Sequence, residues 1–216
     1  MSMMKVLTAC LTVFILLAGC GGGDGGKQES KNGSNSASGA ETSIQTTTYF
    51  PKAQQIKTYK GSGNEFASEV ETAFTREGNY LATVSDNGGT RILRIFQLDN
   101  KGISIVYEEP EYYDEDAPDI GSLKQAFRPK VILPNPVTLN QRFDDWIVKM
   151  VDAAVAVPYG KINKVIVLEK TGEDGSTIQN YWAPGLGIVK KSFYLKDDSG
   201  NETVVTTELE KVEAAD

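Results

Sequence analysis

Turn sequences recur about every ten residues from position 49 onward, and this spacing most constrains the fold. Residues 100–102 separate a stretch with apolar residues on both of its faces, 91–98, from an alternating one, 103–107, which is the pattern of a β-hairpin. Residues 86–89 separate 80–84 from 91–98 in the same way, so three consecutive strands form a meander. The same rhythm returns in four C-terminal stretches, 164–169, 178–183, 187–194 and 202–208. The sequence therefore predicts a mainly β protein, an antiparallel meander that forms a curved sheet, a partial barrel or a sandwich.

Residues 64–74 are the exception, because their apolar positions fit two kinds of structure. Phe66, Val70 and Phe74 belong to a helical stripe, and the same three residues also lie on one face of a strand. We interpret this segment as a strand. No other stretch after residue 48 supports a long amphipathic helix.

The residue types that are missing exclude whole classes of chemistry. The two cysteines, Cys10 and Cys20, both lie in the first twenty residues, and histidine is absent. The folded part therefore has no internal disulfide, no Cys-His pair, no Ser-His-Asp triad and no histidine-bearing zinc site. We expect neither a cofactor nor a resident metal. The net charge of −7 and the pI near 4.8 also argue against nucleic-acid binding, which depends on clustered Lys and Arg.

The N-terminal residues have the layout of an export signal. Lys5 precedes an apolar stretch, 6–18, which small residues separate from Cys20. This stretch is too short to span a membrane, since a span needs roughly 20 apolar residues. Residues 16–20, Leu-Leu-Ala-Gly-Cys, resemble the lipobox of bacterial lipoproteins, in which the cysteine is lipidated and becomes the new N-terminus. The resemblance implies that 1–19 is a signal peptide; an ordinary secretory signal that contains a cysteine is the alternative.

Residues 20–48 are rich in Gly, Ser and Thr and contain almost no apolar side chain. Such a segment buries too little apolar surface to become ordered, so we predict a disordered tether that begins with lipidated Cys20. A phosphate-binding glycine loop is not supported, because no strand precedes residues 21–26 and no Gly-Lys-Ser/Thr follows them. Residues 49–216 are then a single β-rich domain, held at the extracytoplasmic face of the cell membrane by the acyl chains on Cys20.

The acidic residues could carry two kinds of chemistry. Seven carboxylates lie within residues 108–119, and Ca²⁺ binds such oxygens. Their spacing does not match an EF-hand, so a solvated acidic loop is the more frequent explanation and weak calcium binding is the alternative. Paired carboxylates also hydrolyse glycosidic bonds, an activity that needs neither histidine nor cysteine. With 29 acidic residues, some pair always lies at a suitable distance, so their abundance is no argument for this activity.

Aromatic residues near a Pro-Gly turn are a further candidate site. Tyr181 and Trp182 precede Pro184 and Gly185, and Trp146 is the other tryptophan of the chain. At a concave mouth these residues would suit an apolar or sugar ligand, but packing in the core of a sheet is their more frequent use. The sequence does not identify ligand-binding residues beyond these candidates.

Several segments resemble a family of lipobox-bearing lipoproteins of Gram-positive bacteria for which no activity is established. The segments are residues 49–52, 59–65, 87–90, 132–136 with Trp146 following, and 181–190. The resemblance covers nearly all of 49–216 and implies a location but no activity. The predicted fold is also similar to half-barrel lipoprotein carriers, whose curved sheet encloses acyl chains. Those carriers are soluble and periplasmic, whereas this chain is expected to stay anchored.

These observations leave two classes of function open. We expect a membrane-anchored extracytoplasmic lipoprotein that is not an enzyme and binds a ligand or partner at the cell envelope. The alternative is a carboxylate-dependent, glycosidase-like hydrolase acting on envelope or extracellular material. Such an enzyme needs two carboxyl groups in a cleft, one of them with a strongly raised pKa. A structural role in the wall or spore is a third interpretation.

Overall fold

The computed structural model describes residues 43–196 and 199–215, which belong to one compact unit, Ala40–Asp216. The predicted signal peptide (1–19), Cys20 and most of the expected tether lie outside the described residues, so what was predicted for them stays a prediction. Within the described ranges, no helix has the length and apolar character needed to cross a membrane.

Almost all of the regular structure is strand, and the helical segments are short. These segments are a 3₁₀ turn at Thr46–Tyr49, the one-turn helix α1 (Ile120–Leu123) and a 3₁₀ turn at Lys124–Ala126. The strands are β1 (Gln55–Ser62), β2 (Glu69–Ala73), β3 (Tyr80–Asp86), β4 (Arg91–Asp99), β5 (Gly102–Pro110), β6 (Lys130–Pro134), β7 (Arg142–Phe143), β8 (Trp146–Val157), β9 (Gly160–Thr171), β10 (Thr177–Ala183), β11 (Gly187–Lys196) and β12 (Glu202–Ala214).

All of these strands form one 12-stranded antiparallel sheet in the order β6-β5-β4-β3-β2-β1-β12-β11-β10-β9-β8-β7. Two meanders, β1 to β6 and β7 to β12, are thus joined side by side where β1 pairs with β12. The sheet curls into a nearly closed barrel whose free edges are β6 and β7. The predicted antiparallel meander is confirmed, and of the three forms considered the structure is the partial barrel.

The main core lies on the inner face of this barrel. Leu81 and Phe96 face each other across β3 and β4, and both belong to a buried cluster. The same cluster contains Ile166 and Trp182 from the second meander. Side chains from both meanders meet inside the curled sheet, so Leu81 and Phe96 define its inward-pointing positions. Because side chains alternate along a strand, every second residue of β3 and β4 points inward.

The helical segment between β5 and β6 covers part of the outer face. Ala82 and Ile95 pair one position along from the inward pair, so they point to the opposite side of the sheet. There they form a second buried cluster with Ile120 of α1, against which Leu123 and Phe127 also pack. Both faces of this meander are therefore buried, which explains why its strands are apolar at consecutive positions.

Residues that precede β1 are part of the folded unit. Ile44 pairs with Val137 in an isolated β-bridge, and Thr46 is fully buried. The Thr46 hydroxyl donates a hydrogen bond to the carbonyl of Pro134 at 2.8 Å. The boundary expected at residue 48 between tether and domain therefore lies further toward the N-terminus. A composition argument misses this, because it does not show that a threonine hydroxyl will find a buried partner.

The ambiguous segment 64–74 ends in a strand. β2 occupies Glu69–Ala73, so the interpretation as strand is confirmed for this half of the segment. In front of it, the Asn64 side chain accepts a hydrogen bond from the N–H of Phe66 at 2.7 Å. This local turn breaks the helical stripe, and apolar spacing alone does not reveal it.

Candidate functional site

The barrel encloses a cavity of about 720 Å³, a volume within the range of small-molecule sites. Among the described residues, its wall is built from nine of the twelve strands, namely all except β3, β7 and β12. Both meanders therefore contribute side chains to the same partly enclosed space. This makes the cavity the strongest candidate for a functional site.

One part of the cavity wall is apolar and continuous with the core. Phe96 and Trp182 belong to the buried cluster inside the barrel, and the remaining members of this apolar wall pack against that cluster. We define the apolar wall as Phe96, Ile105, Ile132, Trp146, Trp182 and Ile188. Aromatic rings supply half of these six side chains, and flat rings of this kind suit an apolar ligand body.

Three carboxylates also line the cavity, and each forms a salt bridge with a cation from another strand. The salt bridge between Glu69 of β2 and Lys191 of β11 joins the two meanders. Lys57 is 1% exposed, so its ammonium group depends on the neighbouring carboxylate. The pairs are Glu71–Lys57 at 2.8 Å, Glu69–Lys191 at 2.5 Å and Glu108–Arg94 at 2.6 Å.

Glu71 is the carboxyl group on which three of these cations act, Lys57, Lys191 and Arg94. Burial by itself raises its pKa, but the attraction and hydrogen bond of Lys57, followed by Lys191 and Arg94, outweigh this effect and lower the pKa. Tyr59 lies beside the same group, and burial together with Glu71 and Glu69 raises its pKa well above the ordinary value. At neutral pH the carboxylate is therefore charged and the phenol is neutral.

Three further cations of the cavity wall form no salt bridge among the residues that the structure describes. These unpaired cations are Arg128, Lys130 and Lys170. The half-buried Lys170 places its Nζ atom 5.2 Å from the centre of the Trp146 ring, next to the apolar wall. In total the wall carries five cations and three carboxylates, in a chain whose net charge is −7.

The structure brings together two of the three aromatic residues that were candidates from the sequence. Trp146 and Trp182 both line the cavity, and Trp182 is also part of the core. Core packing, one of the two uses considered for these residues, therefore applies to Trp182. Tyr181 does not line the cavity; its hydroxyl donates to the Gln179 side chain at 2.7 Å. The apolar or sugar ligand itself stays a prediction.

Apart from Glu108, which belongs to the acidic stretch 108–119, sequence reasoning did not identify the charged residues of the cavity. Arg94 interrupts the apolar stretch 92–96, and it lies on the same face of β4 as the buried Phe96. Glu69 and Glu71 of β2 both point toward the cavity, and Val70 between them points to the other face of the strand. A charged side chain on the buried face of a strand is rare, and this was the signal that could have identified them.

The acidic stretch 108–119 does not act as a unit. Glu108 belongs to the cavity wall through its salt bridge with Arg94, whereas Glu109 and Glu111 each accept a hydrogen bond from a hydroxyl group. Over the described ranges, no group of three or more acidic or thiol side chains is placed to hold a metal ion. Weak calcium binding by this stretch stays a prediction.

Comparison with known proteins gives one structural likeness. No family model and no curated protein matches the sequence. The fold is similar to a crystal structure described as a putative lipoprotein from Parabacteroides distasonis ATCC 8503, with 13% sequence identity and a TM-score of 0.40. The match covers 79% of this chain and 99% of that chain. The resemblance to the Gram-positive family is not tested by this match and stays a prediction.

Proposed function

We propose that this protein is a lipoprotein held at the extracytoplasmic face of a bacterial membrane through Cys20, and that its barrel binds a small ligand. The cavity of about 720 Å³, with its apolar wall and unpaired cations, carries the proposal. A cavity that combines apolar side chains with a few polar groups is typical of small-molecule sites. The lipobox-like residues 16–20 support the anchor.

The cavity gives no support to a carboxylate-dependent hydrolase. A general acid of that type needs a raised pKa, whereas the pKa of Glu71 is lowered. Glu69 forms a salt bridge with Lys191 at 2.5 Å, and Glu108 forms one with Arg94 at 2.6 Å. The binding function is therefore the better supported of the two classes.

Native mass spectrometry of the chain purified from its own host tests ligand binding. We expect a bound small molecule in addition to the mass of the lipidated chain. Asn180→Trp introduces an indole into the cavity and should lose this molecule, because Asn180 is part of the wall. Thr203→Trp, at an exposed position of β12, is the matched control and should keep it. An empty wild-type chain would overturn the proposal.

Fractionation of host cells that carry Cys20→Ser tests the anchor separately. Each buried CH₂ contributes about 0.8 kcal/mol to membrane binding, so two or three acyl chains hold a protein stably and their loss releases it. We expect the variant in the soluble fraction, without the mass of the acyl groups. A variant that stays in the membrane fraction with unchanged mass would show that Cys20 is not the anchor.

A further inference from the structure

The charges of the cavity indicate which class of ligand it takes. We propose that the ligand is an amphipathic anion, with its apolar body on the apolar wall and its acidic group beside the unpaired cations Arg128, Lys130 and Lys170. This inference rests on the proposed function, since it requires that the cavity holds a small molecule.

The acidic group is inferred from the pairing of the charges already present. Each of the three carboxylates in the wall has its own cation at 2.5 to 2.8 Å, so their charge is compensated within the protein. The unpaired cations are not compensated in this way, and this excess of positive charge creates a positive field that is strongest at the half-buried Lys170, since Arg128 and Lys130 are exposed to solvent. Charges interact more strongly in a partly enclosed space than in bulk water. This field stabilises a bound anion, repels a cation and contributes nothing to the binding of a neutral molecule.

The apolar body is inferred from the rest of the wall. A small hydrophilic anion would contact the cations but would gain nothing from the apolar wall beside them. Lys170 joins the two regions, because its ammonium group lies 5.2 Å from the centre of the Trp146 ring. A ligand with its acidic group at Lys170 therefore places the adjoining apolar atoms against Trp146.

A fluorescent fatty acid and its uncharged ester distinguish the charge from the apolar contact. The full-length chain with Cys20→Ser is used, so that no acyl chain of its own competes for the cavity. We expect cis-parinaric acid to bind at least tenfold more tightly than its methyl ester, and we expect its affinity to fall as salt is added. Dodecanoate and dodecyl phosphate should both displace the probe better than dodecanol, and their ranking shows whether the acidic group is a carboxylate or a phosphate.

The outcomes separate this inference from the proposed function. Equal binding of the acid and the ester would overturn the anion inference and leave ligand binding by the cavity intact. Binding of neither probe, together with no displacement by any dodecyl compound, would overturn both. Displacement by inorganic phosphate alone would show that the apolar wall does not contribute.

Single substitutions locate the acidic group. Lys170→Gln and Lys130→Gln should each weaken binding of the acid about threefold to tenfold and leave the ester unchanged, because each removes one cation. Lys161→Gln is the matched control, since Lys161 lies on the same strand as Lys170 but outside the cavity wall. If Lys161→Gln weakens binding as much as Lys170→Gln does, the effect is one of overall charge and the location is wrong.

Discussion

Lys57 and Glu71 form an ion pair inside the barrel, with Nζ and Oε1 2.8 Å apart. Removing both charges from water is costly, so the pair is stable only while each partner remains ionised. Burial raises the pKa of Glu71, but Lys57, Lys191 and Arg94 lower it further than burial raises it, to below its ordinary 4.5. A lowered carboxyl pKa stabilises the fold above about pH 4.5, and this contribution is lost as the pH falls through the folded-state value.

Glu71→Gln should therefore destabilise the protein at neutral pH by about 3 kcal/mol, because it leaves the ammonium of Lys57 buried without a counter-charge. Below the folded-state pKa the wild-type carboxyl is itself protonated, so the difference between the two proteins should shrink. Urea unfolding at pH 7 and at a series of lower pH values measures both effects. Glu213→Gln is the control: its partner Lys211 is 60% exposed, so the loss should stay below about 1 kcal/mol. An equal decrease in the free energy of unfolding for the two variants would contradict this explanation of the buried ion pair.

At the scale of single elements, alternation predicts strands even where the register against a neighbour shifts once. It predicted β3 to β5 and β9 to β12, but it does not reveal β8. The register of β8 against β9 shifts three times, between Val148 and Met150, between Met150 and Ala153, and between Ala153 and Val155. Each bulge adds residues that are not paired one to one, so the apolar positions no longer keep a period of two. The pattern is lost although the strand is twelve residues long.

Two glycines that begin strands after hairpin turns allow a matched test of these turns. Gly102 and Gly160 both have positive φ, 126° and 136°, so alanine is strained at either position. A Cβ atom on Gly102 would lie 2.1 Å from the carbonyl oxygen of Leu133 on β6, whereas one on Gly160 meets nothing within 4 Å. We expect Gly102→Ala to cost about 2 kcal/mol more than Gly160→Ala, since the strain of positive φ is common to both and only Gly102→Ala forces a backbone shift, which costs about 1–3 kcal/mol. Thermal unfolding of the two variants measures the difference, and equal melting temperatures would show that β6 moves away freely.

At the scale of the whole molecule, the fold class could be predicted from the sequence but the cavity could not. Hairpins follow from local turn residues such as Asn87 and Gly88, so the two meanders are visible in the sequence. The pairing of β1 with β12 joins residues more than 140 positions apart, and no local pattern encodes it. The cavity exists only after this pairing, which explains why its charged residues could not be recognised as one group from the sequence. Net charge also misleads here, because −7 for the chain hides a local excess of cations.

The strand order places the middle of the chain at the free edges of the barrel and the two ends of the folded unit at its centre. The N–H of Ala215 donates to the carbonyl of Gln54 at 3.0 Å, beside the pairing of β1 with β12. A cut between β6 and β7 would thus separate the protein into two fragments, each of which keeps all of its own hairpins. Such fragments should recognise one another through one pair of strand edges and through the side chains that meet inside the barrel. The molecule is therefore suited to fragment complementation, in which co-purification of the two halves reports reassembly.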